Sequence, residues 1–244
     1  DRLARPMVKK GDQDVETSWL EATSKAAEGL GILQPKEVAI IASGRSSNEE
    51  LYLIKKISAA IGTDLVCVVP RKGASDGKLV SADRNPNTTG ANLIFETDEP
   101  CAKLDAIREG VVAGRIKSLI VLQEDLLQEA GFKAEDLLKL DHLVVTHTHA
   151  NPTAAQATVI LPGTGFAEKR ATYVNVTGRL QRANQAVIAP GEARDDWESL
   201  AALLAKLDKD YQPPASMDGV FNSLASEVEA FAEYLEQVVH ARSN

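Results

Sequence analysis

Short apolar runs that end at glycine or proline alternate, along most of this chain, with stretches whose apolar residues recur every three or four positions. The run EVAIIAS at 37–43 stops at Gly44 and predicts a buried parallel strand. Ser46 with Glu49, and Ser47 with Glu50, both fit a capping box, after which Leu51, Ile54, Ile57 and Ile61 share one helix face until Gly62. DLVCVV at 64–69 gives a second strand before Pro70, so this stretch reads as a right-handed βαβ unit. Three more strands are predicted, SLIVL at 118–122, HLVVT at 142–146 and ATVIL at 157–161. Helical stretches around Leu104, Ile107, Val111 and Val112, and within Asp125 to Leu140, separate them. About five strands alternating mostly with helices predict an α/β fold: a doubly wound, mostly parallel sheet with flanking helices and a helical C-terminal tail.

The rest is more polar. Residues 1–16 read as a polar lead, followed by a helix capped by Thr17 or Ser18 that carries Trp19, Leu20, Ala22, Ala26, Ala27 and Leu30 and ends at Gly31. The turn-rich connection after Pro70, running to about residue 92, is longer than most. After Pro162 a further loop carries Glu168, Thr172, Asn175, Gly178, Arg179 and Gln181. Asp195 or Asp196 then caps a helix with Trp197, Leu200, Leu203, Leu204 and Leu207. Beyond the YQPPASMDG linker, Phe221, Leu224, Val228, Phe231, Leu235 and Val239 form the stripe of a last helix, to be covered by its own domain or by a partner. The expected division is a lead segment and helix at 1–35, an α/β domain at 36–190 and C-terminal helices at 191–244.

Composition narrows the function. A chain of 244 residues with 44% hydrophobic content can bury a substantial core. A net charge of -8 without clustered Lys and Arg argues against a nucleic-acid partner. No apolar run nears the roughly 18 residues of a membrane helix, and DRLARPMVKK lacks a signal-peptide core, so no direct membrane insertion and a cytoplasmic location are expected. The absence of an initiator Met suggests a trimmed start. Cys67, inside an apolar run, reads as a small buried residue, and neither it nor Cys101 belongs to an iron-sulfur or zinc motif.

Four stretches invite a chemical reading. The turn SGRSSNEE at 43–50 places Arg45, Ser46 and Ser47 before a helix N-terminus, where free N–H groups could hold a phosphate, yet it has neither a GxGxxG nor a GxxxxGK[ST] pattern and also fits an ordinary cap. His147 and His149 in THTHANP lie two apart on a strand end, without a third ligand at suitable spacing. No nucleophile elbow or reactive cysteine motif is present, and the acidic residues read as solvated helix faces. In the 168–181 loop, Thr172, Asn175, Arg179 and Gln181 suit either a pterin or nucleotide ligand or the locking of the loop onto the sheet.

The stretch from Ala157 to Trp197 resembles the late segment of the molybdopterin oxidoreductase superfamily. The match runs through Ala157 to Pro162, Glu168, Ala171 to Asn175, Gly178-Arg179-Leu180-Gln181, Pro190 to Arg194 and Asp196-Trp197. Arg2-Leu3, Arg5-Pro6, Ser18-Trp19 and Glu21-Ala22 are similar to the opening that follows the iron-sulfur domain in that family. SGRSSNEELYLIKKISAAIGT is similar to a stretch of formate dehydrogenases and of the G-type iron-sulfur subunits of NADH-quinone oxidoreductase, and AGRIKSLIVL and NTTGA also have family counterparts. Against the family pattern, Gln123 stands where a Gly is usual, only the 70–92 loop replaces a long domain bearing the metal ligand, and no room is left for the C-terminal β-barrel. The resemblance therefore implies a reduced, non-catalytic G-type scaffold, with iron-sulfur clusters in upstream domains and no cofactor in this chain. Its partners would be other subunits of a respiratory or dehydrogenase complex, placing it at the periphery of the inner face of the membrane. The alternative it implies is a formate dehydrogenase-like fragment that retains a nucleotide half-site or molybdopterin contacts. Vestigial cofactor-binding candidates are Arg45, Asn48, Asn87, Gly90, Thr172 and Asn175; no catalytic or metal-binding residue is expected.

Overall fold

A computed structural model describes residues 1–240 of the chain. In chain order its elements begin with β1 (Met7–Lys10), β2 (Gln13–Glu16), α1 (Trp19–Gly31), β3 (Val38–Ser43), α2 (Asn48–Ile61) and β4 (Val66–Val69). They continue with α3 (Thr88–Phe95), α4 (Leu104–Val112), β5 (Ser118–Leu122), α5 (Leu126–Glu129), α6 (Ala134–Leu137), β6 (His142–His147) and β7 (Val159–Pro162). The last are β8 (Ala171–Val174), β9 (Leu180–Ala183), α7 (Asp196–Leu207), α8 (Met217–Glu227) and α9 (Glu229–His240).

All five predicted strands are present and pair in parallel, in the order β4-β3-β5-β6-β7. Alternation along them explains why both faces need helices. Ile40, Ala42, Val68, Ile120, Leu122, Val144 and Leu161 enter one core with α1, α2, α3, α7 and α8. Ala39, Ile41, Cys67, Leu119, Val121, Leu143 and Val145 enter the other, with Ile107 and Val111 of α4, Leu126 and Leu137. The strand order reverses between β3 and β5, which opens a crevice at their carboxyl ends, the usual place for a ligand in an open α/β sheet.

The sheet has seven strands rather than five. The polar lead folds into a β1–β2 hairpin through the two residues Gly11 and Asp12, and β1 joins β7 antiparallel, Val8 opposite Val159. The 168–181 loop likewise contains the separate β8–β9 hairpin, closed by a turn in which Gly178 has φ 78°. The long connection ends earlier than expected, because Thr88 already begins α3.

At helix ends the chemistry is legible in detail. Ser47, not Ser46, caps α2 through a capping box with Glu50, and Gly62 closes that helix in the left-handed region. The expected last helix breaks at Val228 into α8 and α9. Phe221, Leu224, Val228 and Phe231 are buried within the chain's own fold, and Phe231 stacks edge to face between Phe221 and Tyr234. The side chain of Val239 lies outside the described residues. Cys67 is buried as expected, and it is joined to Cys101 by a disulfide that the sequence pattern does not announce.

Candidate functional site

The crevice is filled by the first turn of α2, and most of its polar groups are paired with one another, Ser46 Oγ and Asn48 Oδ1 being buried without a partner. Asn48, Glu49 and Glu50 are all buried, although their sequence reads as a solvated cap. The cause is the β8–β9 hairpin, which lies over this turn. Thr172 N and Thr172 Oγ1 donate to the Glu49 carboxylate at 3.0 and 2.7 Å, while Asn48 Nδ2 donates to Thr172 Oγ1 at 3.0 Å. From the start of α3, Asn87 Oδ1 accepts from Val174 N at 2.8 Å, and Asn87 Nδ2 donates to Ser46 O at 2.9 Å. Alternate N–H groups of β8 thus bond to side-chain oxygens where a neighbouring strand would otherwise serve. Burial dominates the Glu49 carboxyl and, against the Thr172 hydrogen bonds, pushes its pKa up to about 7.

A charged cluster adjoins this knot. The Lys169 ammonium, buried beneath the hairpin, pairs with Glu50 and lies 3.3 Å from Asp196 at the start of α7. Burial works against its charge, but Glu50 and Asp196 outweigh that and raise its pKa above the usual lysine value. Asp196 also accepts from Thr146 Oγ1 and, at 2.9–3.0 Å, from Gln123 Nε2. Gln123 holds φ 54°, a conformation that favours glycine, and its hydrogen bonds to Asp196 offset that cost. The expectation of acidic residues on solvated faces therefore fails at Glu49, Glu50, Asp196 and also Glu124, which is buried against Arg71 in a bidentate pair of 2.7 and 2.8 Å.

Of the six candidates, Asn48, Asn87, Gly90 and Thr172 come together. Gly90 is needed because a Cβ there would collide with Asn48 Oδ1 and Asn87 Oδ1. Asn175 lies apart in the hairpin turn, where its Oδ1 accepts from Thr177 N at 3.0 Å and Arg179 N at 2.9 Å. Arg45 is exposed on the rim of a cleft of about 310 Å³ that also involves Gln123, His147, His149, Phe166 and Lys169. The two histidines do not converge: His147 Nδ1 turns to the His149 backbone, and His149 Nδ1 to Thr148 Oγ1. Among the described residues no three His, Cys, Asp or Glu groups form a metal-binding cluster. Glu168 pairs with Arg2 at 2.6 Å, joining the chain's two ends of resemblance, and Trp19 donates to Glu192 O at 2.9 Å beneath the Arg194 guanidinium.

Lys169 and Gln123 escaped notice as site residues because a lone lysine and glutamine carry no spacing signal. Asp196 was visible only as a helix cap. The one usable hint was three consecutive polar residues directly after a strand that is buried on both faces.

The molybdopterin oxidoreductase family model matches residues 88–206, from the start of α3 into α7. The G-type subunit of NADH-quinone oxidoreductase from Shewanella oneidensis is 28% identical over 91% of this chain and 24% of its own length. The 75 kDa subunit of NADH-ubiquinone oxidoreductase from Reclinomonas americana is 47% identical over 28% of the chain and 10% of its own length. The alpha subunit of an F420-dependent formate dehydrogenase from Methanococcus maripaludis is 42% identical over 29% and 10%. The chain thus spans a quarter or less of each of these relatives. Nearly half of the chain matches the molybdopterin oxidoreductase family model, and most of its length is similar to a G-type subunit of NADH-quinone oxidoreductase.

Proposed function

We propose that the chain is a non-catalytic scaffold within a G-type subunit of NADH-quinone oxidoreductase, supporting electron transfer by iron-sulfur clusters held elsewhere in that subunit. The observation that carries this reading is the closure of the crevice. Of the groups that would have to meet a pterin or its diphosphate, Asn48 Nδ2 donates to Thr172 Oγ1, Thr172 donates to Glu49, and Asn87 is held between Ser46 O and the β8 backbone, while Gly90 leaves no space between the two asparagines. Turning these groups to a ligand would leave buried partners unsatisfied, at about 1–3 kcal/mol for each. The remaining cleft of about 310 Å³ is at the lower end of small-molecule sites, far below the needs of a pterin dinucleotide. The residues present do not fit that cofactor. Partners are then other subunits of the respiratory complex, with the protein held at the inner face of the membrane through them. Among the described residues no helix is long and apolar enough to cross a membrane.

A second reading, a fragment of a formate dehydrogenase-like molybdoenzyme, draws on the exposed Arg45 beside His147 and His149 and on the formate dehydrogenase match. Analysis of the full-length native protein for molybdenum, tungsten and iron, with fluorescence of released pterin, separates the two. Iron without molybdenum, tungsten or pterin is expected. Stoichiometric molybdenum or tungsten with pterin would overturn the scaffold reading in favour of the second.

A further inference from the structure

One edge of the main sheet is β4, and its outer side is closed by a short turn. Leu65 O accepts from Ile40 N and Val69 O from Gly44 N, so the odd positions of β4 bond to β3. Val66 and Val68 consequently direct their N–H groups away from the sheet. Val66 N bonds locally to Asp64 O, and Val68 N donates to Pro100 O at 2.8 Å. The turn that supplies Pro100 lies between α3 and α4, and Cys101 in that turn is bonded to Cys67 of β4. Near this point the turn is also tied to the strand region by Lys103, which reaches the carboxylate and the backbone O of the exposed Asp64 at 2.7 and 2.6 Å, contacts worth little in water. The disulfide is the strong link between cover and edge.

The two sulfurs are not equally reachable. Cys67 is fully buried among Ile41, Val69 and their neighbours, whereas Cys101 is half-buried and lines an open cleft of about 260 Å³ with Val68, Pro100 and Ala102.

We propose that the Cys67–Cys101 bond is a thiol-exchange site at which a dithiol releases the 98–103 turn and uncovers the β4 edge. An incoming thiolate enters the cleft and attacks Cys101 Sγ, forming a mixed disulfide, while the bond to Cys67 breaks and Cys67 leaves as a thiolate that takes a proton from solvent. The second thiolate of the reductant then attacks its own sulfur in the mixed disulfide, closing the reductant's ring and expelling Cys101 as a thiolate. Two electrons pass from the dithiol to the protein disulfide. The apolar surroundings of Cys67 disfavour its thiolate and hold it beside the mixed disulfide, so after attack by a monothiol Cys67 returns and re-forms the bond, whereas the second thiol of a dithiol completes the exchange. Once the turn is free, Val68 N–H has no partner, and a hydrophobic edge strand is open to pairing with another strand.

The full chain, kept under air and then treated with dithiothreitol without denaturant, tests this by alkylation mass spectrometry and amide hydrogen exchange. Before reduction the peptides bearing Cys67 and Cys101 are expected to be linked. After it both thiols alkylate, and exchange over residues 66–69 speeds at least tenfold while that over residues 39–42 of β3 stays unchanged. A glutathione adduct, where it forms, falls on Cys101. The double variant Cys67→Ser/Cys101→Ser, if it folds, exchanges as the reduced protein does; if it does not, reduction of the wild type decides alone. Free thiols in the air-kept protein, reduction only on unfolding, an adduct on Cys67, or unchanged exchange at 66–69 would each overturn the proposal.

Discussion

Glu49 is the residue on which the closed crevice turns, and its titration gives a signed prediction. Because the folded state raises its pKa from 4.5 to about 7, the native protein binds this proton more tightly than the unfolded chain does. Its contribution to stability is fully present below pH 4.5, declines as pH rises towards 7 and is level above that, a span of about 3 kcal/mol. Urea midpoints measured between pH 4.5 and 8 should fall in wild type and stay flatter in Glu49→Gln; equal slopes would mean the carboxyl is not buried as described. Gly90→Ala is expected to cost about 1–3 kcal/mol, because the added methyl must displace Asn48 or Asn87. An unchanged urea midpoint would contradict that. At this scale the sequence was informative where a motif carries its own geometry, as with Ser47, Glu50 and Gly62. It was silent where a residue's partner is distant in the chain: Lys169 meets Glu50 across 119 positions, and nothing local to either announces the other.

Elements show the same division. Strands β3 to β7 were readable because apolar runs bounded by Gly and Pro have few other uses in a chain of this composition. The two hairpins were missed for different reasons. In β1–β2 the signal was present, since Gly11-Asp12 is a favoured two-residue turn between extended segments, but the polar flanks MVKK and QDVE hid it. The β8–β9 hairpin buries its N–H groups against side chains of α2 and α3 instead of a neighbouring strand, so no apolar alternation was required of it. Its attachment depends on Lys169. Replacing Lys169 by Met should cost about 3–5 kcal/mol, since Glu50 and Asp196 would lose their shared cation, and should speed amide exchange in residues 171–174. Slow exchange in that variant would place the attachment elsewhere, in the Thr172 and Asn87 bonds.

Across the whole molecule, the covering helices are shared between distant parts of the chain. Helix α7 packs on α1 and α2, and α8 lies on α2, so the C-terminal helices complete a core begun near the N-terminus. Asp218 of α8 holds Arg182 of the hairpin at 2.9 Å, and Tyr234 of α9 donates to Gly178 O at 2.6 Å. Phe221→Ala should therefore lower stability by about 3–5 kcal/mol and move a single unfolding transition. A separate early transition for the C-terminal helices would show instead that they fold independently.

The placement of β1 bears on the order in which the chain can fold during synthesis. Val8 pairs with Val159, so about 150 further residues must emerge before β1 can join the main sheet, and closing so long a loop gives little return until β7 is in place. A ribosome-bound chain halted short of residue 159 would carry its β1–β2 hairpin unattached, while β3, α2 and β4, adjacent in sequence, can already have assembled. Within this stretch of chain, β1 is made well before its place in the main sheet exists and is docked among the last.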